Sequence, residues 1–298
     1  RRNCFLFLNE TTMTTTMLTT TRVPHRMSTS RESRHQRRRP CVTRFASSSS
    51  SYEKTWSNPS GAAMDVVVSS SLFACARPFV WNSIDVGGRM AVVKLANGDV
   101  WVHSPVELDA RTRQAVDALG RVAHIVSPNY EHLKYAAQWK QAYPDATLYG
   151  CPGLKTKKPD IPYDCEVSNV APEAWLGEFE VAWFDSERAP VIDEPFFNEV
   201  VFYHKPTKSL MVTDVFWNYP GGATIDGVDV PLGTKAWKFG MDKVYAPFYR
   251  KIMIVDEAKY AETVRLVTET WAWDIVVPCH GPIVRGGIAR EAVREHLR

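Results

Sequence analysis

The chain has 298 residues, of which 45% are hydrophobic and 23% charged, a composition typical of a globular protein. Its 11% aromatic content argues against disorder over the whole length, and no apolar run reaches the roughly 18 residues that a transmembrane helix needs. The six cysteines include no C-x-x-C pair, which argues against a zinc ribbon or a disulfide framework.

The charge is unevenly distributed along the chain. Residues 1–54 contain ten Arg and one Lys against three Glu, a net charge of +8. Residues 55–298 carry 25 basic and 30 acidic side chains, a net charge of −5. Because the body of the chain is mildly acidic, the sequence predicts no nucleic-acid partner.

The N-terminal segment, residues 1–63, is rich in Thr, Ser and Arg and poor in acidic residues. This composition offers few large apolar groups for a core and is typical of a disordered organellar transit peptide. Its many hydroxyl groups favour the chloroplast over the mitochondrion. The alternative is an extension of the gene model, with Met13, Met17 and Met27 as further candidate starts.

The first half of the folded domain, which we predict over residues 64–298, alternates between strand and helix patterns. Two β-rich runs flank Asn97-Gly98, a dipeptide that strongly favours a hairpin turn. The remaining predicted elements here are a helix over 107–119 stopped by Gly120, a strand over 122–128, a helix over 131–143 and a strand over 146–152.

The second half repeats this mixture with longer connections. Residues 152–173 and 216–236 are rich in Pro, Gly and charged residues and are predicted as loops. The predicted elements are strands over 178–184 and 199–204, a hairpin into 209–214, a helix over 256–273, a strand over 274–282 and a helix from about residue 287. Hairpins with interspersed helices predict an α/β fold with mixed sheets covered by helices.

Polar side chains stand at the ends of three apolar strands. The first strand ends in a segment with Asn129, Glu131 and His132, the second ends at Asp214, and the third ends at His280. Strand carboxyl ends are favoured positions for functional sites, because the backbone is fixed there and side chains enter a crevice. A carboxylate and two imidazoles that converge in this way suit zinc, iron or manganese.

The order of these motifs resembles the metallo-β-lactamase superfamily. More closely, it is similar to a branch of unknown function found in photosynthetic organisms and bacteria. The motifs that carry the resemblance span about residues 75–290 and are His103-Ser104-Pro105, Ser127-Pro128-Asn129, His132, Trp139, Tyr143-Pro144, Thr213-Asp214 and His280-Gly281. The resemblance implies an αββα sandwich and a metal-dependent hydrolase.

The chain departs from the metal signature of that superfamily. The signature H-x-H-x-D-H falls on residues 127–132, where Ser127 and Asn129 replace two His and Glu131 replaces Asp. A further His, expected near Pro195, is missing, and His204 comes several residues late. The first of the two metal positions of the superfamily is therefore largely lost.

The second metal position keeps its ligand types. The resemblance implies that His132, Asp214 and His280 bind one zinc, iron or manganese ion, although a chain that has lost its metals altogether stays possible. Glu131 is a candidate further ligand or general base. Asn129 or His103 is a candidate to polarise the scissile group of a substrate. The alternative for each of these residues is a purely structural one, such as a turn imidazole, a capping carboxylate or a buried His.

Three functions remain open at this point. The first is a hydrolase in which a single metal activates water against a small-molecule ester, thioester, lactone or phosphoester. The second is a catalytically degenerate binding or assembly module of an organelle. The third and weakest is an iron site for redox chemistry, which lacks the ligands for a di-iron centre. The sequence predicts no particular substrate or oligomeric state.

Overall fold

The computed structural model describes residues 51–298 of the chain. Most of the predicted transit-like segment, residues 1–50, lies outside the described residues, and organellar targeting stays a prediction. The strands of the described part are β1 (Asp65–Val68), β2 (Leu72–Arg77), β3 (Val80–Trp81), β4 (Ile84–Asp85), β5 (Gly88–Lys94), β6 (Val100–His103), β7 (Val122–Ser127), β8 (Thr147–Gly150), β9 (Cys165–Glu166), β10 (Phe179–Phe184), β11 (Glu199–His204), β12 (Ser209–Val212), β13 (Thr224–Ile225), β14 (Val228–Asp229), β15 (Ile275–Pro278) and β16 (Val284–Arg285).

The helices lie between these strands. They are α1 (Ala110–Asp117), α2 (Ala136–Ala142), α3 (Leu154–Lys157), α4 (Leu232–Gly240), α5 (Ala246–Phe248), α6 (Glu257–Arg265) and α7 (Gly287–Leu297). A 3₁₀ turn spans Glu173–Trp175, and wider π-helical turns span Met241–Tyr245, Tyr249–Met253 and Leu266–Thr270. Helix α1 begins at Asp109, whose carboxylate accepts a hydrogen bond from the backbone of Thr112 and satisfies a free donor of the first turn.

Two mixed sheets form the centre of the fold. The first has seven strands in the order β1-β2-β5-β6-β7-β8-β9, antiparallel as far as β6 and parallel from β6 to β9. The second has five strands in the order β10-β11-β12-β15-β16, of which only β12 and β15 are parallel neighbours. Parallel pairing requires crossover connections, which α1, α2 and the helices before β15 supply.

The sheets pack face to face with helices outside. On β11, Val200 and Phe202 belong to the core between the sheets, whereas Val201 and Tyr203 belong to a second core beneath the C-terminal helices. This alternation follows from the two-residue period of a strand. Since both faces of the strand are covered, all six of its residues are buried. The layers are therefore helix, sheet, sheet and helix, as predicted.

The folded part begins earlier than the predicted boundary at residue 64. The Tyr52 hydroxyl donates to the Asp109 carboxylate at 2.5 and 2.6 Å, and the Arg77 guanidinium lies 3.9 Å from the centre of the Tyr52 ring. Trp56 is only 3% exposed and packs in a third apolar cluster with Val86. The prediction of disorder up to residue 63 was therefore wrong for residues 52–63, because a few aromatic side chains anchor this polar stretch.

The predicted loop over 216–236 is also partly wrong. It contains the hairpin formed by β13 and β14, and α4 begins at Leu232. Helix α4 continues through the π-helical turns and α5 as far as Met253. Within residues 51–298, no helix is long and apolar enough to cross a membrane.

Candidate metal centre

Three side chains from two different sheets meet at one end of the sandwich. His132 follows β7 of the first sheet, whereas Asp214 and His280 follow β12 and β15 of the second. Because β12 and β15 are parallel neighbours, their carboxyl ends lie side by side and bring Asp214 next to His280. The site is thus located at the seam between the sheets.

The ligand atoms of these three residues lie within 4.8 Å of one another. His132 Nε2 is 3.2 Å from His280 Nε2 and 3.3 Å from Asp214 Oδ2, and His280 Nε2 is 3.4 Å from Asp214 Oδ1. Ligand atoms bound to a tetrahedral zinc at about 2.0–2.1 Å are separated by roughly 3.3 Å. The cluster therefore has the spacing and the donor types of a zinc ligand set.

The other ring nitrogens of the two imidazoles have hydrogen-bond partners outside the cluster. His280 Nδ1 lies 2.8 Å from the carbonyl oxygen of Gly87, to which it donates. His132 Nδ1 lies 2.8 Å from Ser104 Oγ. Partners of this kind fix the orientation of a ligating imidazole and leave Nε2 available for the metal.

The Asp214 carboxylate is held in its charged form. Burial opposes that charge, but His132 and then His280 keep the pKa of Asp214 well below its usual range. Burial would by itself lower the pKa of His132, but Asp214 raises it well above the ordinary value. The side chains of these three residues keep between 10% and 14% of their surface exposed, so the cluster is not sealed from solvent.

Asn129 is a positioning residue, not a substrate contact. It is fully buried, its Nδ2 donates to Asp214 Oδ2 at 2.7 Å, and its Oδ1 accepts the backbone N–H groups of Glu131 and His132. The expectation that Asn129 polarises a substrate was therefore wrong, because its amide is already occupied. It joins the loop that carries His132 to the strand end that carries Asp214.

Glu199 is the second positioning group, and the sequence analysis did not identify it. This fully buried carboxylate accepts the backbone N–H groups of Thr213, Asp214 and Val215 at 2.6, 2.6 and 3.0 Å. It also accepts Asn129 Nδ2 at 3.1 Å. Burial and then the Asp214 charge raise the pKa of Glu199. The only signal in the sequence was a charged residue at the start of an otherwise apolar strand.

His103 does not line the site. It is 1% exposed and packs against Trp101 and Phe202, with ring centres 5.8 and 5.3 Å away. Burial and then the neighbouring His132 lower the pKa of His103 to about 3. The expectation that His103 contacts a substrate was therefore wrong, because its ring belongs to the core between the sheets.

Glu131 lies at the edge of the cluster. More than a third of this residue is exposed, and no hydrogen bond to its carboxylate is present among the described residues. Partial burial and then the Asp214 carboxylate raise its pKa. A role for Glu131 as a ligand or general base stays a prediction.

Ser127 and His204 lie away from the cluster. Ser127 is completely buried, and His204 lies in the interior at the end of β11, where it contacts Thr207 Oγ1 at 2.8 Å and Glu178 Oε2 at 3.1 Å. Neither belongs to the cluster of ligand atoms within the described residues. The geometry is therefore that of a single metal position.

A cleft of about 510 Å³ lies beside the turn that carries His280. Cys279 and Gly281 contribute to its wall, as do Arg89, Trp56 and Lys54. None of the three clustered residues lines this cleft. On another side of His280, Tyr219 stacks on the imidazole with ring centres 5.9 Å apart.

Comparisons with known proteins support the fold. The family model described as a domain of unknown function, DUF4336, matches residues 79–223. No curated protein matches the chain by sequence. The metallo-β-lactamase from Hirschia baltica superposes with a TM-score of 0.52 and 8% identity, covering 79% of this chain and 98% of its own.

Other metallo-β-lactamases are similar in structure. The mono-zinc form of FIM-1 from Pseudomonas aeruginosa has a TM-score of 0.51 and 10% identity, covering 78% of this chain and 93% of its own. DIM-1 exposed to ceftazidime has a TM-score of 0.52 and 14% identity, with coverages of 78% and 95%. The chain thus has the metallo-β-lactamase fold, and the predicted αββα sandwich is confirmed.

Proposed function

We propose that this chain with the metallo-β-lactamase fold is a metal-dependent hydrolase that acts on small molecules through one ion held by His132, Asp214 and His280. The observation that carries the proposal is the mutual spacing of 3.2–3.4 Å among the two Nε2 atoms and the nearer Asp214 oxygens. Two neutral imidazoles and one carboxylate with an open position form a donor set suited to catalytic zinc.

The hydrogen bonds around the cluster support this proposal. Gly87 and Ser104 orient the two imidazoles, and Asn129 orients the Asp214 carboxylate. When bound, a divalent ion at such a site acts as a Lewis acid and lowers the pKa of water enough to supply hydroxide near neutral pH.

Glu131 is the group we assign to proton transfer. The residue is partly exposed near the cluster, and its raised pKa brings it closer to the range in which a general base works well. It would accept a proton from the attacking water and return it to the leaving group. Candidate substrates are esters, thioesters, lactones and phosphoesters.

Metal analysis of the purified full-length chain tests the proposal. We expect about one zinc, iron or manganese ion per chain by plasma mass spectrometry, and its loss in His280→Ala and Asp214→Asn. His124→Ala is the matched control, because His124 is another buried imidazole that does not belong to the cluster. A folded chain that ignores added zinc, or a His280→Ala variant that keeps its ion, would contradict the proposal.

One observation favours the alternative of a non-catalytic binding module. The cleft of about 510 Å³ is not lined by the clustered residues, so a ligand there would not contact the metal position. A chain that binds metal yet hydrolyses none of the four substrate classes would favour this alternative.

A further inference from the structure

The long helix formed by α4, α5 and their π-helical turns packs one side against the body of the protein, as surface helices normally do. Thr234, Ala246, Tyr249 and Met253 are buried on this side. Trp237, Met241 and Tyr245 pack against the third apolar cluster, which contains Trp217 and Tyr219. These contacts fix the helix against the body of the protein and leave its opposite side facing solvent.

The outer face is apolar instead of polar. Five of its large apolar side chains are each at least 44% exposed and are one or two helical turns apart: Leu232, Phe239, Val244, Phe248 and Ile252. Val255, which follows the end of the helix at Met253, is also 62% exposed. A surface helix normally presents charged or polar residues to water. A contiguous exposed apolar face with a polar rim marks an interaction site.

Most of the charged side chains in this segment are basic. Residues 232–255 contain four Lys and one Arg against a single acidic residue, Asp242. Lys238 pairs with Asp242, and Arg250 donates to the carbonyl of His296. The ammonium groups of Lys235, Lys243 and Lys251 make no hydrogen bond or ion pair with other described residues, so their charges are available to a partner.

Charge decides between the candidate partners. A second copy of the chain would place the same basic residues opposite one another across a twofold axis, where they would repel. Residues 1–50 contain ten Arg and two Glu, so this segment is not complementary either. The partner must therefore be anionic and must also accept several large apolar side chains.

An anionic lipid surface has both properties. Helices that lie in a membrane interface place aromatic and aliphatic side chains among the acyl chains and Lys or Arg among the headgroups. The aliphatic stems of Lys243 and Lys251 can extend beside the apolar face while their ammonium groups reach the phosphates. We propose that the outer face of the helix over residues 232–253 binds peripherally to an anionic lipid bilayer.

Vesicle binding by the full-length chain tests this proposal. The probes are vesicles of phosphatidylcholine alone and of phosphatidylcholine with an equal part of phosphatidylglycerol. The test variant carries Phe239→Ser, Phe248→Ser and Ile252→Ser together. The matched control carries Val66→Ser, Val170→Ser and Ile288→Ser, which are apolar residues outside the helix that are each at least 62% exposed. The wild type and both variants contain the same basic residues 1–50. Any binding of that segment to vesicles is therefore the same in all three and does not affect the difference between them.

We expect the wild type to bind the mixed vesicles more tightly than phosphatidylcholine and to remain partly bound in molar salt, which releases purely electrostatic binding. The triple variant in the helix should lose at least about tenfold in partition coefficient, whereas the control should be unchanged. Lys243→Glu with Lys251→Glu should reduce binding to the mixed vesicles in low salt.

Three outcomes would overturn the proposal. The first is equal binding by the triple helix variant and the wild type. The second is a wild-type dimer in sedimentation that the triple variant disrupts, which would assign the face to a second copy. The third is indifference to both kinds of vesicle together with saturable binding to an acidic amphipathic peptide, which would assign the face to a protein. Metal content and circular dichroism of each variant report separately on the metal proposal and on folding.

Discussion

At the scale of single residues, Asn129 shows how one buried amide can position the side chains of a site. The resemblance places it where the superfamily has a ligand imidazole. Here its amide bridges the Asp214 carboxylate and the backbone that carries His132. An uncharged side chain that both donates and accepts can join two loops in this way, whereas a carboxylate would repel Asp214. Asn129 therefore positions two of the side chains that we propose as metal ligands.

Glu187 provides a prediction about pH. Its Oε1 accepts the backbone N–H groups of Phe196 and Asn198 at 3.2 and 2.7 Å, while Oε2 is buried without a partner among the described residues. Burial raises its pKa from an ordinary value of 4.5 to about 7, against the opposing effect of these hydrogen bonds. Between these two pKa values the folded chain binds more protons than the unfolded chain. The free energy of unfolding should therefore fall as the pH rises through this range.

The variant Glu187→Gln should remove this pH dependence. The difference between the two pKa values corresponds to about 3 kcal/mol that the wild type loses as Glu187 becomes ionised. The amide that replaces the carboxyl group stays neutral, so denaturant unfolding of the variant between pH 5 and pH 8 should show a flatter profile. Glu180→Gln, on the exposed side of β10, is the control and should leave the profile unchanged. An identical slope for wild type and Glu187→Gln would contradict the prediction.

The residues of the cluster could be predicted because each lies within five residues of the carboxyl end of an apolar strand. Polar groups at such positions have few structural purposes, so His132, Asp214 and His280 stood out in the sequence. Glu199 and His103 could not be assigned in this way. Each is a polar residue within a strand, and only the packing of the two sheets determines which side of the strand it faces. The roles assigned to the three clustered residues stay predictions.

At the scale of elements, the turn after β15 gives a sharp prediction. Gly281 has φ of +91°, and a Cβ atom there would lie 1.9 Å from the carbonyl oxygen of Asn218. The backbone of Asn218 donates in turn to the carbonyl of His280. Gly281→Ala should therefore displace this turn and destabilise the chain by at least about 3 kcal/mol in urea unfolding.

Gly286→Ala is the matched control for this change. Gly286 also has a positive φ, +74°, but a Cβ atom there meets nothing within 4 Å. Only backbone strain remains, at φ of +74° and ψ of −163°, so we expect a loss of about 1–2 kcal/mol, smaller than that of Gly281→Ala. Equal losses for the two variants would show that the contact with Asn218 does not matter.

The sequence predicted most strands of the two sheets and missed one long helix. The hairpin at Asn97-Gly98 is confirmed, with Gly98 at φ of +86°, because that dipeptide acts locally. The helix over residues 232–253 contains Gly233, Gly240 and Pro247, which normally interrupt helices. Its π-helical turns also shift the apolar period away from 3.6 residues. Tertiary packing of its inner face, invisible in the sequence, outweighs these local preferences.

At the scale of the whole molecule, Trp56 ties the start of the described chain to the region around the candidate site. It is 3% exposed and shares a cluster with Trp217 and Tyr219, the second of which stacks on His280. Trp56→Ala in the full-length chain should lower the free energy of unfolding by about 3–5 kcal/mol. Trp81, which is 38% exposed, is the control, and Trp81→Ala should cost much less. Equal melting temperatures for Trp56→Ala and wild type would contradict this prediction.

The location of the metal cluster at the seam has a mechanical consequence. His132 belongs to the first sheet, Asp214 and His280 belong to the second, and the ion that we propose would be bonded to both. It would therefore act as a reversible cross-link between two sheets that are otherwise held together by side-chain packing and by hydrogen bonds such as that from Asn129 to Asp214. Separating the two sheets would then require breaking bonds between the ion and its ligands. The free energy needed to separate the sheets would therefore be larger with the ion bound than after its removal.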